Sequence, residues 1–255
     1  MQQEIKRELL RLEQQHGIKI LYAVESGSRV WGFASADSDW DVRYIYVHKI
    51  DWYLSIDGKK DSQDEILPND IDFAGWELKK ALRLFRKSNP PMLEWLRSPM
   101  VYWQHEAFAE RLRQLTAEYF NPKSCLHHYL HMAEGNYRDY LQRNQVRVKR
   151  YFYVLRPLFA CEWIRETNSM APMEFQVLLD SQLTEPDVKR EVQNLLVRKM
   201  SGGELDEEPK IQVLNDFLEE KILFYKEYVQ SLDQPDQPDT CKLNELFRWV
   251  VEGAL

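Results

Sequence analysis

The residue patterning changes character near residue 104, and this change constrains the fold more than any other feature of the chain. Strand signals stop there, and long stretches with helical spacing of apolar residues follow it. Ile18 to Val24 (IKILYAV) reads as a buried strand, Asp41 to Val47 (DVRYIYV) as a second, Ile71 to Ala74 as a third, and Val101 to Trp103 as a last edge strand. A helix over residues 1 to 15, ended by Gly17, precedes them. Helical pieces are expected at Val30 to Ala34, Glu77 to Lys87 and Met92 to Leu96, and Asp57-Gly58 carries a hairpin signal within the polar stretch 48 to 70. Beyond 104, helices are predicted at 105–118, 123–142, 145–167, 185–200, 208–230 and 240–252, with breaks at Asn121-Pro122, Ala171-Pro172, Gly202-Gly203 and Gln234 to Pro238. The expectation is an α+β chain: a small mixed sheet in a first domain, residues 1–104, then an all-helical domain, residues 105–255.

Composition narrows the function classes. With 44% hydrophobic and 29% charged residues, the 255-residue chain can build a core, which excludes wholesale disorder. No apolar run is long enough for a membrane span, and the charged helical start is unlike a signal peptide, so a cytoplasmic protein without a membrane partner is expected. Cys125, Cys161 and Cys241 form no CxxC pair and are read as reduced thiols. A net charge of −7 disfavours coating long stretches of nucleic acid but leaves room for a local basic groove. No Gly-x-Ser-x-Gly, Walker loop or Rossmann fingerprint is present, which argues against hydrolase, P-loop and dehydrogenase chemistry.

The segment that carries chemistry is Gly27-Ser28, ten residues, then Asp39-Trp40-Asp41 at the start of the second strand. Acids at i and i+2 of a strand point to one face, and two carboxylates that close repel unless a cation neutralises them. Mg²⁺, a hard ion with oxygen ligands, suits them and leaves room for phosphate oxygens. The turn upstream suits phosphate: Gly27 permits close backbone approach, and N–H groups with the Ser28 hydroxyl can hold an oxyanion. A third acid would complete a site for two ions. Asp72 is the natural candidate because it lies deeper in the apolar context before Gly75-Trp76. Asp70 competes, and spacing alone does not choose between them. Arg29 and Arg43 flank the motif. Arg43 shares the strand face of Asp41, as an ion-pair partner or a phosphate contact.

These residues resemble a known group. Gly-Ser, nine to thirteen residues, then Asp-x-Asp is the signature of the DNA polymerase β-like nucleotidyltransferase superfamily. The stretch ESGSRVWGFASADSDWDVRYIYVH, with DFAGWELKKALRLFRKSNPPMLEWLRSP and VKRYFYVLRPLFACEWI, resembles its branch known as the RNA repair pathway DNA polymerase β family. The resemblance covers roughly residues 18 to 166. It implies the nucleotidyltransferase fold, phosphate binding at Gly27 and Ser28, metal binding at Asp39, Asp41 and Asp72, and two Mg²⁺ ions for which Mn²⁺ can substitute. It also implies transfer of a nucleoside monophosphate from an NTP to a hydroxyl, with an RNA end as acceptor and pyrophosphate released. The superfamily usually has a hydrophobic residue directly before Gly-Ser; here it is Ser26. The alternatives are a protein-adenylylating enzyme and a non-catalytic nucleotide- or RNA-binding module.

One further feature lies in the second half. From Arg138 to Arg156, six basic residues face one acidic residue, Asp139, and the segment is read as a basic helix. Lys149, Tyr153 and Arg156 are spaced to share one face, which could meet a triphosphate or an RNA end with Tyr153 stacking. His127, His128 and His131 lack the HExxH arrangement and are read as ordinary helix residues rather than a zinc set.

Overall fold

The computed structural model describes residues 1–202, 207–233 and 238–253. The elements run α1 (Gln2–His16), β1 (Ile18–Glu25), α2 (Ser28–Trp31), β2 (Trp40–His48), α3 (Ile50–Tyr53), β3 (Ser62–Ile66), β4 (Ile71–Glu77), α4 (Leu78–Arg86), α5 (Pro90–Arg97) and β5 (Val101–Gln104). There follow α6 (Glu106–Gln114), α7 (Thr116–Tyr119), α8 (Pro122–Asn136), a π-helical turn (Tyr137–Leu141), β6 (Gln145–Arg147), α9 (Val148–Thr167), α10 (Phe175–Gln182), α11 (Pro186–Met200), β7 (Glu207–Pro209), α12 (Gln212–Ser231) and α13 (Cys241–Val251). The class is α+β with a mixed sheet. The expected breaks at Gly203 and at 234–237 lie outside the described residues.

The chain divides into two compact units. The first holds residues 1–30 and 39–119 with the α13 segment; the second holds residues 31–38 and the stretch from 120 through α12.

In the first unit, five strands are ordered β3-β4-β2-β1-β5. The β1–β2, β1–β5 and β3–β4 pairs are antiparallel, and β2–β4 is parallel. Gly17, with φ 61°, closes α1 in the left-handed conformation, and its N–H reaches the Glu13 carbonyl. α1 then lies on one sheet face, burying Ile5, Leu9 and Leu12 against Ile20, Val42, Tyr44, Tyr46 and Phe73. Burying an aliphatic side chain of that size contributes about 1.5–3 kcal/mol, so α1 is held by its stripe rather than by helix propensity. Gly75 is required on β4: a Cβ there would stand 2.3 Å from the Tyr44 ring.

The structure corrects the expected turn. β3 and β4 are joined through Leu67 to Asp70, where Asp70 adopts φ 59°, and not through Asp57-Gly58. β3 escaped notice because its sequence, SQDEI, is polar and only partly covered.

The second unit packs α8 along α9, which is buried on almost every side, including Tyr151, Phe152, Leu155 and Phe159. Phe33, from the short 31–38 segment, sits 4.9 Å from Phe152 and 5.5 Å from Phe175 between ring centroids, so that segment belongs to this core. The half expected to be all helical carries one β exception, an antiparallel ribbon of β6 and β7. The expected basic helix is likewise not one helix. Arg138 lies in the π-helical turn and Arg143 in the connection after it, Arg147 is in β6, and only Lys149, Arg150 and Arg156 are in α9. No disulfide joins the three cysteines; Cys125 and Cys161 are buried and Cys241 is exposed. Among the described residues, no helix is long and apolar enough to cross a membrane.

Candidate active site

The site forms where β1 ends, β2 begins and β4 begins. β2 and β4 are parallel and in register with Asp41 opposite Asp72, so the two carboxylates emerge side by side on one face. Asp70 is excluded from that role by the turn: its left-handed backbone takes it out of the strand, and its carbonyl accepts the Trp40 N–H at 2.8 Å. The register thus puts Asp72, and not Asp70, opposite Asp41, a placement that spacing could not give.

The Gly-Ser turn meets this pair directly. The Ser26 N–H donates to the Asp41 carbonyl at 2.8 Å, which seats the turn on the first residues of β2. Gly27 is buried there, and a Cβ on it would stand 1.9 Å from Asp41 Oδ2. Only a residue without a side chain lets that carboxylate lie against the turn. Ser28, partly exposed, opens α2, and the Val30 N–H returns to the Gly27 carbonyl at 3.1 Å. Arg29 donates from Nε to the Asp39 carbonyl at 3.2 Å and lies over the Trp40 ring at 3.8 Å, so it braces the strand entrance. Asp39 itself is exposed.

Arg43 is the cation that neutralises the acid pair. Its Nη2 lies 2.6 Å from Asp41 Oδ1 and 2.9 Å from Asp72 Oδ2, while Nη1 donates to the Asp72 carbonyl at 2.9 Å. Of the two readings the sequence left open for Arg43, the ion pair is the one present. Burial pushes the Asp41 carboxyl above its ordinary value; Arg43 opposes this, and Asp72 and Asp39 add to it.

Sequence reasoning missed the support beneath. Glu25, fully buried at the end of β1, accepts the Asp41 N–H at 2.9 Å and the Tyr102 hydroxyl at 2.6 Å. Burial raises its pKa, against the two hydrogen bonds that favour the charged form. A lone acid closing an apolar strand run two residues before Gly27 was the available signal.

The expected site residues thus fall into two groups. Gly27, Ser28, Arg29, Asp39, Asp41, Arg43 and Asp72 come together in the first unit. Lys149, Tyr153 and Arg156 lie on α9 in the second unit, where Arg156 is buried with its guanidinium 4.6 Å from the Trp31 ring.

The donor set can be tested for a metal. Asp39, Asp41 and Asp72 offer only hard oxygen ligands, which fit Mg²⁺, and the Gly27 cradle holds one of them in place. Among the described residues, no three His, Cys, Asp or Glu side chains are gathered around one point; Asp41 and Asp72 share Arg43, and Asp39 is exposed. The ligand types fit the ion, and Arg43 supplies the counter-charge to two of them.

Known proteins were compared with this chain. A Bacillus subtilis (strain 168) relative, the uncharacterized protein YcgL, is 48% identical over 252 residues, spanning 99% of this chain and 97% of the relative. The solved structure of a nucleotidyltransferase-like protein from Exiguobacterium sibiricum 255-15 aligns over 98% of this chain and 89% of that one, at 11% identity and a TM-score of 0.32. Residues 1–249 match the model of the RNA repair pathway DNA polymerase beta family, and the chain belongs to that family.

Proposed function

We propose that this protein transfers a nucleoside monophosphate from an NTP to a hydroxyl, with an RNA end as the acceptor. One observation carries the reading: the Asp41 carboxylate lies against Gly27 of the Gly-Ser turn, with Asp72 opposite it in register. A Gly-Ser turn that would hold phosphate, lying beside paired acids, supports transfer at a phosphorus centre.

In this reading the Gly27-Ser28 turn holds the triphosphate through its N–H groups and the Ser28 hydroxyl. Asp39, Asp41 and Asp72 would hold Mg²⁺, with Mn²⁺ as a substitute. When bound, the metal supplies charge neutralisation at the departing pyrophosphate and a lowered pKa at the acceptor hydroxyl. The acceptor oxygen attacks the α-phosphorus and forms a new ester bond. The bond from that phosphorus to the bridging oxygen breaks, and pyrophosphate leaves with both electrons. Asp72 takes the hydroxyl proton. Glu25 fixes the backbone of Asp41 during the exchange, because its carboxylate accepts the Asp41 N–H. Arg43, which pairs with both Asp41 and Asp72, would have to release them for those carboxylates to hold a metal.

The test uses each α-labelled NTP with Mg²⁺ or Mn²⁺ and a pool of short RNAs, for the wild type and Asp41→Asn. Label transferred to RNA by the wild type and lost in Asp41→Asn is the expected result. Label appearing on protein instead would move the reading to protein adenylylation. An Asp41→Asn variant with wild-type rate, or no NTP turnover at all, would overturn it.

A further inference from the structure

In the second unit, the ribbon strand β6 and the start of α9 enclose a cavity of about 210 Å³ lined by Tyr140, Arg143, Gln145, Arg147, Arg150 and Glu207. Three guanidinium groups line one small cavity with a single carboxylate among them. Arg147 holds that carboxylate, with Nε 3.1 Å from Glu207 Oε1. Arg143 is exposed, and neither it nor Arg150 has a carboxylate partner among the described residues. Arg150 instead lies 3.7 Å from the centroid of the Tyr140 ring and 5.5 Å from that of Tyr153. Stacking on rings fixes a guanidinium without consuming its N–H donors, so Arg150 is oriented yet available for hydrogen bonding.

We propose that this arginine-lined cavity binds a backbone phosphate of a single-stranded RNA. Arginine forks match phosphate oxygens two at a time, which surface lysines do not. In a chain of net charge −7, a strand needs such a local concentration of positive charge to bind at all. The proposal is independent of the catalytic reading, since it requires neither NTP nor metal.

The test is fluorescence anisotropy with a short labelled single-stranded RNA on the full chain in EDTA, without NTP. The wild type binds, and Arg143→Glu weakens binding about tenfold or more without cost to folding, because Arg143 is exposed and makes no ion pair among the described residues. Arg150→Ala weakens binding similarly, and Glu207→Gln tightens it. The slope of log affinity against log salt becomes shallower by about 0.7 for each phosphate that is no longer neutralised. Arg190→Ala, on α11, leaves binding unchanged. The assay contains neither NTP nor metal, so failure of catalysis would leave this result untouched. Absence of RNA binding, or equal affinity in Arg143→Glu and wild type, overturns the proposal. Inorganic phosphate or an NTP binding as tightly as the RNA would also overturn it, by assigning the cavity to a small anion.

Discussion

The α-carbon of Gly27 lies against the carboxylate of Asp41, so close that a Cβ at Gly27 would stand 1.9 Å from Oδ2. This contact joins the two halves of the sequence motif, which are separated by the ten residues between Ser28 and Asp39. Its consequence is that the glycine is a steric requirement of the acid site and not only a turn residue.

Gly27→Ala is therefore expected to displace the Asp41 carboxylate. Overpacking of this kind costs about 1–3 kcal/mol in stability, so the fold should survive while the site does not. Nucleotidyl transfer is expected to fall at least a hundredfold, with a melting temperature lowered by only a few degrees. Label transfer measured beside a thermal melt tests this. Full activity in Gly27→Ala would show that Asp41 need not lie where it does.

Arg43 leads to a second prediction. It holds Asp41 and Asp72 as a cation would, and these three side chains are only partly exposed. Removing it by Arg43→Ala leaves two neighbouring carboxylates without their counter-charge, at a cost of roughly 1 kcal/mol in metal-free buffer. A divalent ion can then restore the balance. Mg²⁺ is expected to raise the melting temperature of Arg43→Ala more than that of the wild type, since binding to the folded state stabilises it by mass action. Parallel Mg²⁺ titrations followed by melting would measure the difference. Identical responses would mean that Arg43 and the ion do not compete.

What the sequence made legible follows the range of the interactions involved. The approach of the Gly27 turn to Asp41 could be expected because a turn followed by a strand start is local chemistry. The strands β1, β2 and β5 could be read because their residues are apolar and β-branched. The choice of Asp72 over Asp70 depended on the β2–β4 register and on the left-handed backbone at Asp70, neither of which spacing encodes. Glu25 stayed hidden because its partner, Tyr102, is 77 residues away. The β6–β7 ribbon stayed hidden for a similar reason: three-residue strands have no measurable period, and Arg147 and Glu207 are 60 residues apart. Their pairing is what divides the apparent basic helix.

Glu25 offers a test of that hidden support. Its two acceptor oxygens serve the Asp41 N–H and the Tyr102 hydroxyl in a fully buried position. Glu25→Ala strands both donors, and a buried unsatisfied polar group costs about 1–3 kcal/mol. Tyr102→Phe removes one partner while leaving the Asp41 contact in place. Glu25→Ala is expected to lower both stability and transfer rate, while Tyr102→Phe lowers stability with a smaller loss of rate. Melting and label-transfer measurements on the two variants separate the roles; equal loss of rate would mean that the Asp41 backbone contact has no particular importance.

In the second unit, the sign of the pH dependence can be worked out for Glu162. Burial pushes its carboxyl up, but the Tyr225 hydroxyl at 2.6 Å, Arg165 and Lys221 at 3.2 Å outweigh burial, and the net effect lowers the pKa below the ordinary 4.5. A carboxyl whose folded pKa is depressed binds fewer protons folded than unfolded. Its contribution is complete at pH values above 4.5, begins to fall as the pH drops through that value, and is gone below the folded pKa. The wild type is therefore expected to lose melting temperature on acidification from about pH 6 to about pH 3 by more than Glu162→Gln does. At neutral pH the variant should be the less stable of the two, because Lys221 and Arg165 keep their charges and lose their partner. Thermal melts of both proteins across that range test the sign. A variant that loses as much stability in acid as the wild type would remove Glu162 from the account of acid sensitivity.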